Sequence, residues 1–232
     1  MKREHNEDSF LLNEDLGLYV VCDGMGGHAG GETASRLAVQ TVEKELISTR
    51  LRADDPFAST VGLEETPLAI ALQEAIEGAC SMVYRTSRTE PELQGMGTTC
   101  IALLLRGDVA VVGHVGDSRA YFVREGAIVQ LTEDHSLVNE QVRAGLLTSE
   151  EAKHSRLRNI ITRSVGFEED VLVDVIGLET KPGDRFLLCS DGLSNLIEPG
   201  EIRDALVGTE LVEVPQKLIE LANSRVSHGT RP

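Results

Sequence analysis

The chain has 232 residues, enough for one domain with a sizeable core, and its 38 acidic against 22 basic residues leave a formal charge of −16. That balance argues against a nucleic-acid or anionic-membrane surface, both of which need a positive stripe. No apolar run approaches a membrane span, and Met1-Lys2-Arg3-Glu4-His5 is too polar to begin a signal peptide, so a cytoplasmic chain is expected. Cys22, Cys80, Cys100 and Cys189 are widely spaced, form no C-x-x-C pair and lie in apolar segments, which reads as small buried hydrophobes in a reducing compartment.

In chain order, a charged start leads into a strand through Phe10-Leu11-Leu12, and Leu18 to Cys22 forms a second strand that delivers Asp23 to a glycine-rich bend. From Glu32 to about Thr49, Ala34, Leu37, Ala38, Val42, Leu46 and Ile47 recur at helical spacing. Residues 51 to 66 lack periodicity and read as a loop, and Pro67 opens a second helix carrying Leu68, Leu72, Ala75, Ile76, Ala79 and Val83 on one face. Two successive helices exclude a simple alternating wind and predict helices mixed with antiparallel strands.

After Gly95-Met96-Gly97 come strands from Thr98 to Leu105, Val109 to His114, Ser118 to Val123 and Ile128 to Leu131. The first two are apolar almost throughout and need cover on both faces. From Asp134 to about Arg158 short polar helical pieces, Ser136 to Ala144 and Ser149 to His154, carry few large apolar anchors, a pattern that suits a mobile lid or, as the alternative, an ordinary surface loop. Strands are predicted again over Asn159 to Arg163, through the alternation of Val171, Val173 and Val175, and from Arg185 to Ser190, which ends in Asp191-Gly192. Two helices close the chain, Pro199 to about Val207 and Val214 to about Ser224.

Three acids stand at strand ends: Asp23 before Gly24, Asp117 after Gly116, and Asp191 before Gly192. Carboxylate oxygens with a backbone carbonyl select Mg²⁺ or Mn²⁺, whereas zinc brings His or Cys. Clustered acids repel one another unless cations lie between them, and a pair of such ions would suit phosphate-ester hydrolysis. Two competing readings attach to the first bend. One is a merely structural glycine turn; the other is a dinucleotide fingerprint, Gly24-x-Gly26-x-x-Ala29, opposed by Asp23 facing the pyrophosphate and by the absence of a prompt following strand.

The order of motifs resembles the metal-dependent protein phosphatase family, protein phosphatase type 2C, in its compact bacterial form. Its motifs read Arg3…Asn6-Glu7-Asp8-Ser9, Val21-Cys22-Asp23-Gly24-Met25-Gly26-Gly27-His28, Gly95-Met96-Gly97-Thr98-Thr99, Gly113-His114-Val115-Gly116-Asp117-Ser118-Arg119, Leu188-Cys189-Ser190-Asp191-Gly192 and Ala222-Asn223-Ser224-Arg225. The resemblance implies an α+β fold, a four-layer α-β-β-α sandwich with two central antiparallel sheets flanked by helix pairs, as a single domain over 1–232 with a flap at about 134–158. It implies Mn²⁺ or Mg²⁺ as cofactor, two ions with a third weaker one: Asp23 bridges the pair, Gly24 supplies a carbonyl, Asp191 binds the first, and Asp117 with Asp191 holds the third. Glu7 and Asp8 orient metal-bound waters, and Arg3 clamps the substrate phosphate through its planar fork. A water activated between the ions then attacks phosphoserine or phosphothreonine in proteins, Ser/Thr kinases among them, with no nucleic acid, no membrane and a monomeric chain. Some human members carry a histidine after Asp-Gly; here the residue is Met25, so a metal-bound water is the expected proton source for the leaving group. His28, His114 and His135 are read as structural.

The pattern departs at both ends. Arg3 is almost the first residue, and Gly229 stands near where the last metal-binding aspartate of the family falls. The expectation is a phosphatase domain shortened at both ends with weakened metal affinity and low or absent activity; the alternative is a phosphoprotein-binding module of the same fold.

Overall fold

The computed structural model describes residues 6–26, 30–49 and 63–227. Its elements run β1 (Asp8–Asn13), β2 (Leu18–Met25), α1 (Gly30–Ser48), α2 (Pro67–Thr89), β3 (Gly97–Thr98), β4 (Cys100–Arg106), β5 (Val109–Val115), β6 (Arg119–Arg124) and β7 (Ala127–Gln130). After these come α3 (Leu137–Arg143), α4 (Ser149–His154), β8 (Asp174–Glu179), β9 (Arg185–Cys189), the single turn α5 (Asp191–Ser194), α6 (Pro199–Gly208) and α7 (Val214–Ser227). Arg3, His28 and Gly229 lie outside the described residues.

Strand alternation sorts the side chains into layers. One antiparallel sheet has the order β1-β2-β4-β5-β8, with β3 paired to the end of β2; the other is β7-β6-β9. In the first sheet Val20, Cys22, Cys100, Ala102 and Val111 face Ala38 and Val42 of α1 and Leu72, Ile76 and Val83 of α2. The alternate residues Ile101, Leu103, Ala110 and Val112 face Ala120, Phe186 and Leu188 of the second sheet. That sheet turns Tyr121, Val123 and Cys189 outward against Ile202 and Leu206 of α6 and Leu218 and Ala222 of α7. The stacking is therefore helix pair, sheet, sheet, helix pair, with the apolar runs of β4 and β5 covered on both faces. All four cysteines are buried free thiols. Because the second sheet is narrower, Phe10 and Leu12 on the outer strand β1 remain exposed at 71% and 68%.

Local chemistry explains the borders. Thr66 caps α2 by accepting from the Ala69 amide, and Pro67 takes the first helical position, where no amide is needed. β2 runs on through Gly24 and Met25, which pair with Thr98 and Gly97, so the bend begins only at Gly26, with φ at 128°. Gly24 serves close approach: a Cβ there would lie 2.7 Å from the Glu7 carbonyl oxygen and nearer still to that of Gly31.

Two expectations are corrected. Asn159 to Arg163 is no strand; Ile161 makes a single bridge to Ser136, while Arg163 is drawn away to Asp174 and the Leu172 carbonyl. The valine alternation likewise yields a strand only from Asp174, where pairing to His114 of β5 begins.

Leu72 and Ile76 lie over Gly113 of β5, where any side chain would meet them. Leu72 is fully buried, so Leu72→Ala leaves a cavity and is expected to lower stability by about 2–5 kcal/mol in urea unfolding. Arg124 grips Asp184 through two bonds, Nε to Oδ1 at 2.8 Å and Nη2 to Oδ2 at 2.6 Å, and the Lys181 amide adds a third. The Arg124 bonds first, then the Lys181 amide, hold the carboxyl down to about 2 from an ordinary 3.8. A depressed folded-state pKa stabilises above the unfolded value and is lost as pH falls through the folded one. Melting curves of Asp184→Asn should therefore lie below wild type above about pH 4 and converge with it toward pH 2; a gap that widens on acidification contradicts this.

Candidate metal centre

Asp23 follows Tyr19 and Val21 on the intersheet face of β2, at the end of the sandwich, with Asp8 of β1 as its cross-strand partner. Its backbone is held by the Gly97-Thr98-Thr99 segment. The Asp23 amide donates to Thr99 Oγ1 at 2.9 Å, and the Asp23 carbonyl accepts from the Thr99 amide and Thr98 Oγ1, both at 2.9 Å. Thr99 Oγ1 in turn lies 2.8 Å from Ser118 Oγ, next to Asp117. Glu7 reaches the same place: its carbonyl accepts from the Gly24 amide at 3.1 Å, and its carboxylate lies against Gly31 at the start of α1.

The second sheet supplies Asp191, the first residue of α5, whose Oδ2 accepts from Asn195 Nδ2 at 3.1 Å. Ser190 Oγ reaches Asp8 Oδ2 at 3.5 Å, tying the two sheets together at this end. One helical turn is too short to announce itself by periodicity, so α5 is legible only in the structure.

The charges of these groups record their convergence. Burial, then the carboxylates of Asp8, Asp191 and Asp117, push Asp23 up to about 8. Burial, then Asp191 and Asp134, push Asp117 up to about 6. Asp23 thus lies within Coulomb reach of Asp8, Asp117 and Asp191, and Asp117 within reach of Asp191. Among the described residues no three acidic, histidine or cysteine side chains close into a finished ligand set. The donor chemistry nevertheless fits a hard ion, for the gathered groups offer carboxylate oxygens and neither imidazole nor thiolate. A cation among them offsets the burial of their charge and relieves the mutual repulsion that adds to it.

The structure adds residues that motif reading passes over as supports. The Gly116 amide donates to His135 Nδ1 at 3.0 Å, and the His135 amide returns a bond to the Gly116 carbonyl at 2.8 Å. With Nδ1 accepting, Nε2 carries the hydrogen and donates to Asp174 Oδ2 at 3.1 Å. Arg163 Nη1 donates to Asp174 Oδ1 at 2.6 Å and lies 3.0 Å from Nε2, as a neighbour and not a partner, since both nitrogens carry hydrogens. Burial keeps His135 below the usual imidazole value and pushes His114, whose ring stands 4.6 Å away, down to about 3. Burial of Asp174 is outweighed by its bonds from His135 and Arg163, which hold it low. Arg119 forks onto Asp134, at 2.9 and 2.6 Å. The available signal was the polar triplet Asp134-His135-Ser136 a few residues after the end of β7, of which His135 and Ser136 are buried.

These bonds seat the segment after β7 on the acid cluster. One foot, Asp134 to Ser136, rests on Arg119 and Gly116; the other, Val165, exchanges amide bonds with Thr98 at 3.0 and 2.8 Å.

The protein phosphatase 2C family model matches residues 2–221. The chain is 36% identical over 226 residues to a serine/threonine phosphatase, stp, of Listeria monocytogenes, covering 96% of this chain and 86% of that protein. The solved serine/threonine phosphatase PstP/Ppp of Mycobacterium tuberculosis superposes with a TM-score of 0.82 at 36% identity, over 96% of this chain and 87% of that one. The catalytic domain of PstP in complex with two manganese ions superposes at 0.79 and 35% identity, over 96% and 86%.

His135→Ala strips the buried Gly116 amide of its acceptor. The expected result is a loss of about 1–3 kcal/mol in urea unfolding. Weaker Mn²⁺ binding by calorimetry is expected with it, as the Asp117 turn loosens; unchanged values in both contradict the positioning role.

Proposed function

The chain belongs to the protein phosphatase 2C family, and on that premise we propose that it hydrolyses phosphoserine and phosphothreonine esters in proteins with Mn²⁺ or Mg²⁺ at the carboxylate end of the sandwich. The observation that carries the reading is the meeting of acids at this end: Asp8 stands opposite Asp23 across β1 and β2, Ser190 beside Asp191 reaches Asp8, and Ser118 beside Asp117 holds the Thr99 hydroxyl that grips the Asp23 amide.

Asp23, the Gly24 carbonyl and Asp191 are the proposed ligands of the main ions, Asp117 with Asp191 those of a further one, and Glu7 and Asp8 the outer acceptors. When bound, the ions supply an activated water and offset charge on the phosphate. The chain's own residues then orient and exclude. Arg3 is the proposed phosphate fork, presenting two parallel N–H donors to the ester oxygens. Met25, at the end of β2, holds no proton for the leaving alkoxide. His135 has both ring nitrogens engaged and His114 is fully buried, so neither imidazole meets the substrate. The segment over 134–158 is the proposed flap, seated on Gly116 by one foot. Among the described residues no helix is long and apolar enough to cross a membrane.

The test is hydrolysis of a phosphothreonine peptide against Mn²⁺ concentration. Turnover is expected to saturate in Mn²⁺, to vanish with chelator, and to fall by at least ~10²-fold in Asp23→Asn, a loss in line with removal of a principal transition-state contact. A folded wild-type chain that binds the peptide without turning it over would replace this reading with the binding module.

A further inference from the structure

Residues 152–167 contain Lys153, His154, Arg156, Arg158 and Arg163 and not one acid, in a chain of net charge −16. Elsewhere arginines are largely committed to carboxylates: Arg36 to Glu32, Arg119 to Asp134, Arg124 to Asp184, Arg203 to Asp204 and Arg225 to Glu201. Within the segment, Arg163 is committed to Asp174, and Lys153 to Glu150 and Glu198. Arg156 and Arg158 differ. Neither has a carboxylate within ion-pair distance among the described residues; Arg156 is exposed, and Arg158 Nη1 is steadied by the Lys153 carbonyl at 3.2 Å.

Their place in the fold gives these two guanidinium groups a direction of use. The segment stands between its two feet on Gly116 and Thr98, which flank Asp117 and Asp23. At 3.8 Å, Lys153 Nζ to Glu198 Oε1 carries it across to the chain just beyond α5, the element that begins with Asp191. The stretch that carries the two arginines is thus strung between anchors that adjoin Asp117 and Asp23, with a tie at Lys153 to the chain that follows Asp191. Leu157 between the arginines and Ile160 just after them, 41% and 45% exposed, offer apolar contact to an extended chain.

A phosphorylated substrate meets a strongly acidic protein, whose field opposes it outside the immediate site. Local positive charge next to the site offsets that opposition, and planar guanidinium forks match carboxylate and phosphate oxygens. We propose that Arg156 and Arg158 form a subsite for acidic groups flanking the target residue, so that the favoured substrate is a protein segment with Asp, Glu or a second phosphate close to the phosphothreonine or phosphoserine. The inference rests on the phosphatase reading for its reaction, but the subsite itself is a matter of binding.

Two phosphothreonine peptides that differ only in Glu or Gln at the flanking positions test it. The wild-type chain with Mn²⁺ is expected to prefer the Glu peptide by about five- to tenfold in kcat/KM at low salt, the range of two exposed charge pairs. The ratio should approach one at about 0.5 M NaCl, where exposed charges are screened. Arg156→Ala/Arg158→Ala should bring the ratio to about one, and Arg156→Glu/Arg158→Glu should invert it. No preference in the wild type, or a preference that survives both variants, overturns the proposal. If the wild type hydrolyses neither peptide nor para-nitrophenyl phosphate, the phosphatase reading fails by itself. Fluorescence anisotropy of the labelled Glu peptide then decides the subsite: tighter binding than the Gln peptide, lost in the double variants, upholds it, and equal binding rejects it.

Discussion

Carboxylates gathered at one point repel each other, and the pole of this sandwich nevertheless brings the exposed Asp8 and the half-buried Asp117 and Asp191 within Coulomb reach of the half-buried Asp23. Left to itself such a group must hold protons, which is what an Asp23 pushed up to about 8 expresses. Much of the surrounding structure serves to hold these groups together. Thr98 and Thr99 fix the Asp23 backbone, His135 fixes the Gly116 turn, and Ser190 reaches across from the second sheet to Asp8.

The layered core explains why the acids meet. Apolar residues on both faces of β4 and β5 bind one sheet to α1 and α2 and to the other sheet, so both sheets end at one pole. The strand ends there expose a side chain without interrupting the ladder that holds it. Supports drawn from β8 and from the segment after β7 then converge on the same turn, which couples the proposed flap mechanically to Asp117 through one imidazole.

Much of this was legible from residue order. Helical spacing marked α1, α2, α6 and α7, alternation marked most strands, and an apolar run ending in Asp-Gly marked Asp23 and Asp191 as strand-end acids. Three features were not. Gly24 read as a turn because a glycine needed for close approach to Gly31 looks the same in sequence as one needed for a bend. Asn159 to Arg163 read as a strand because β-branched residues suggest one whether or not an edge is available to pair with. The His135–Asp174–Arg163 clamp joins segments whose proximity depends on β5 pairing with β8, a matter of topology and not of local pattern.

The most direct test of the central claim, that these carboxylates form one cation site, is calorimetric titration of the wild-type chain and of Asp23→Asn with Mn²⁺. Saturable binding is expected, weakened at least ~10-fold by the substitution while circular dichroism shows the fold retained. Absence of binding in the wild type, or equal binding by both proteins, would contradict it.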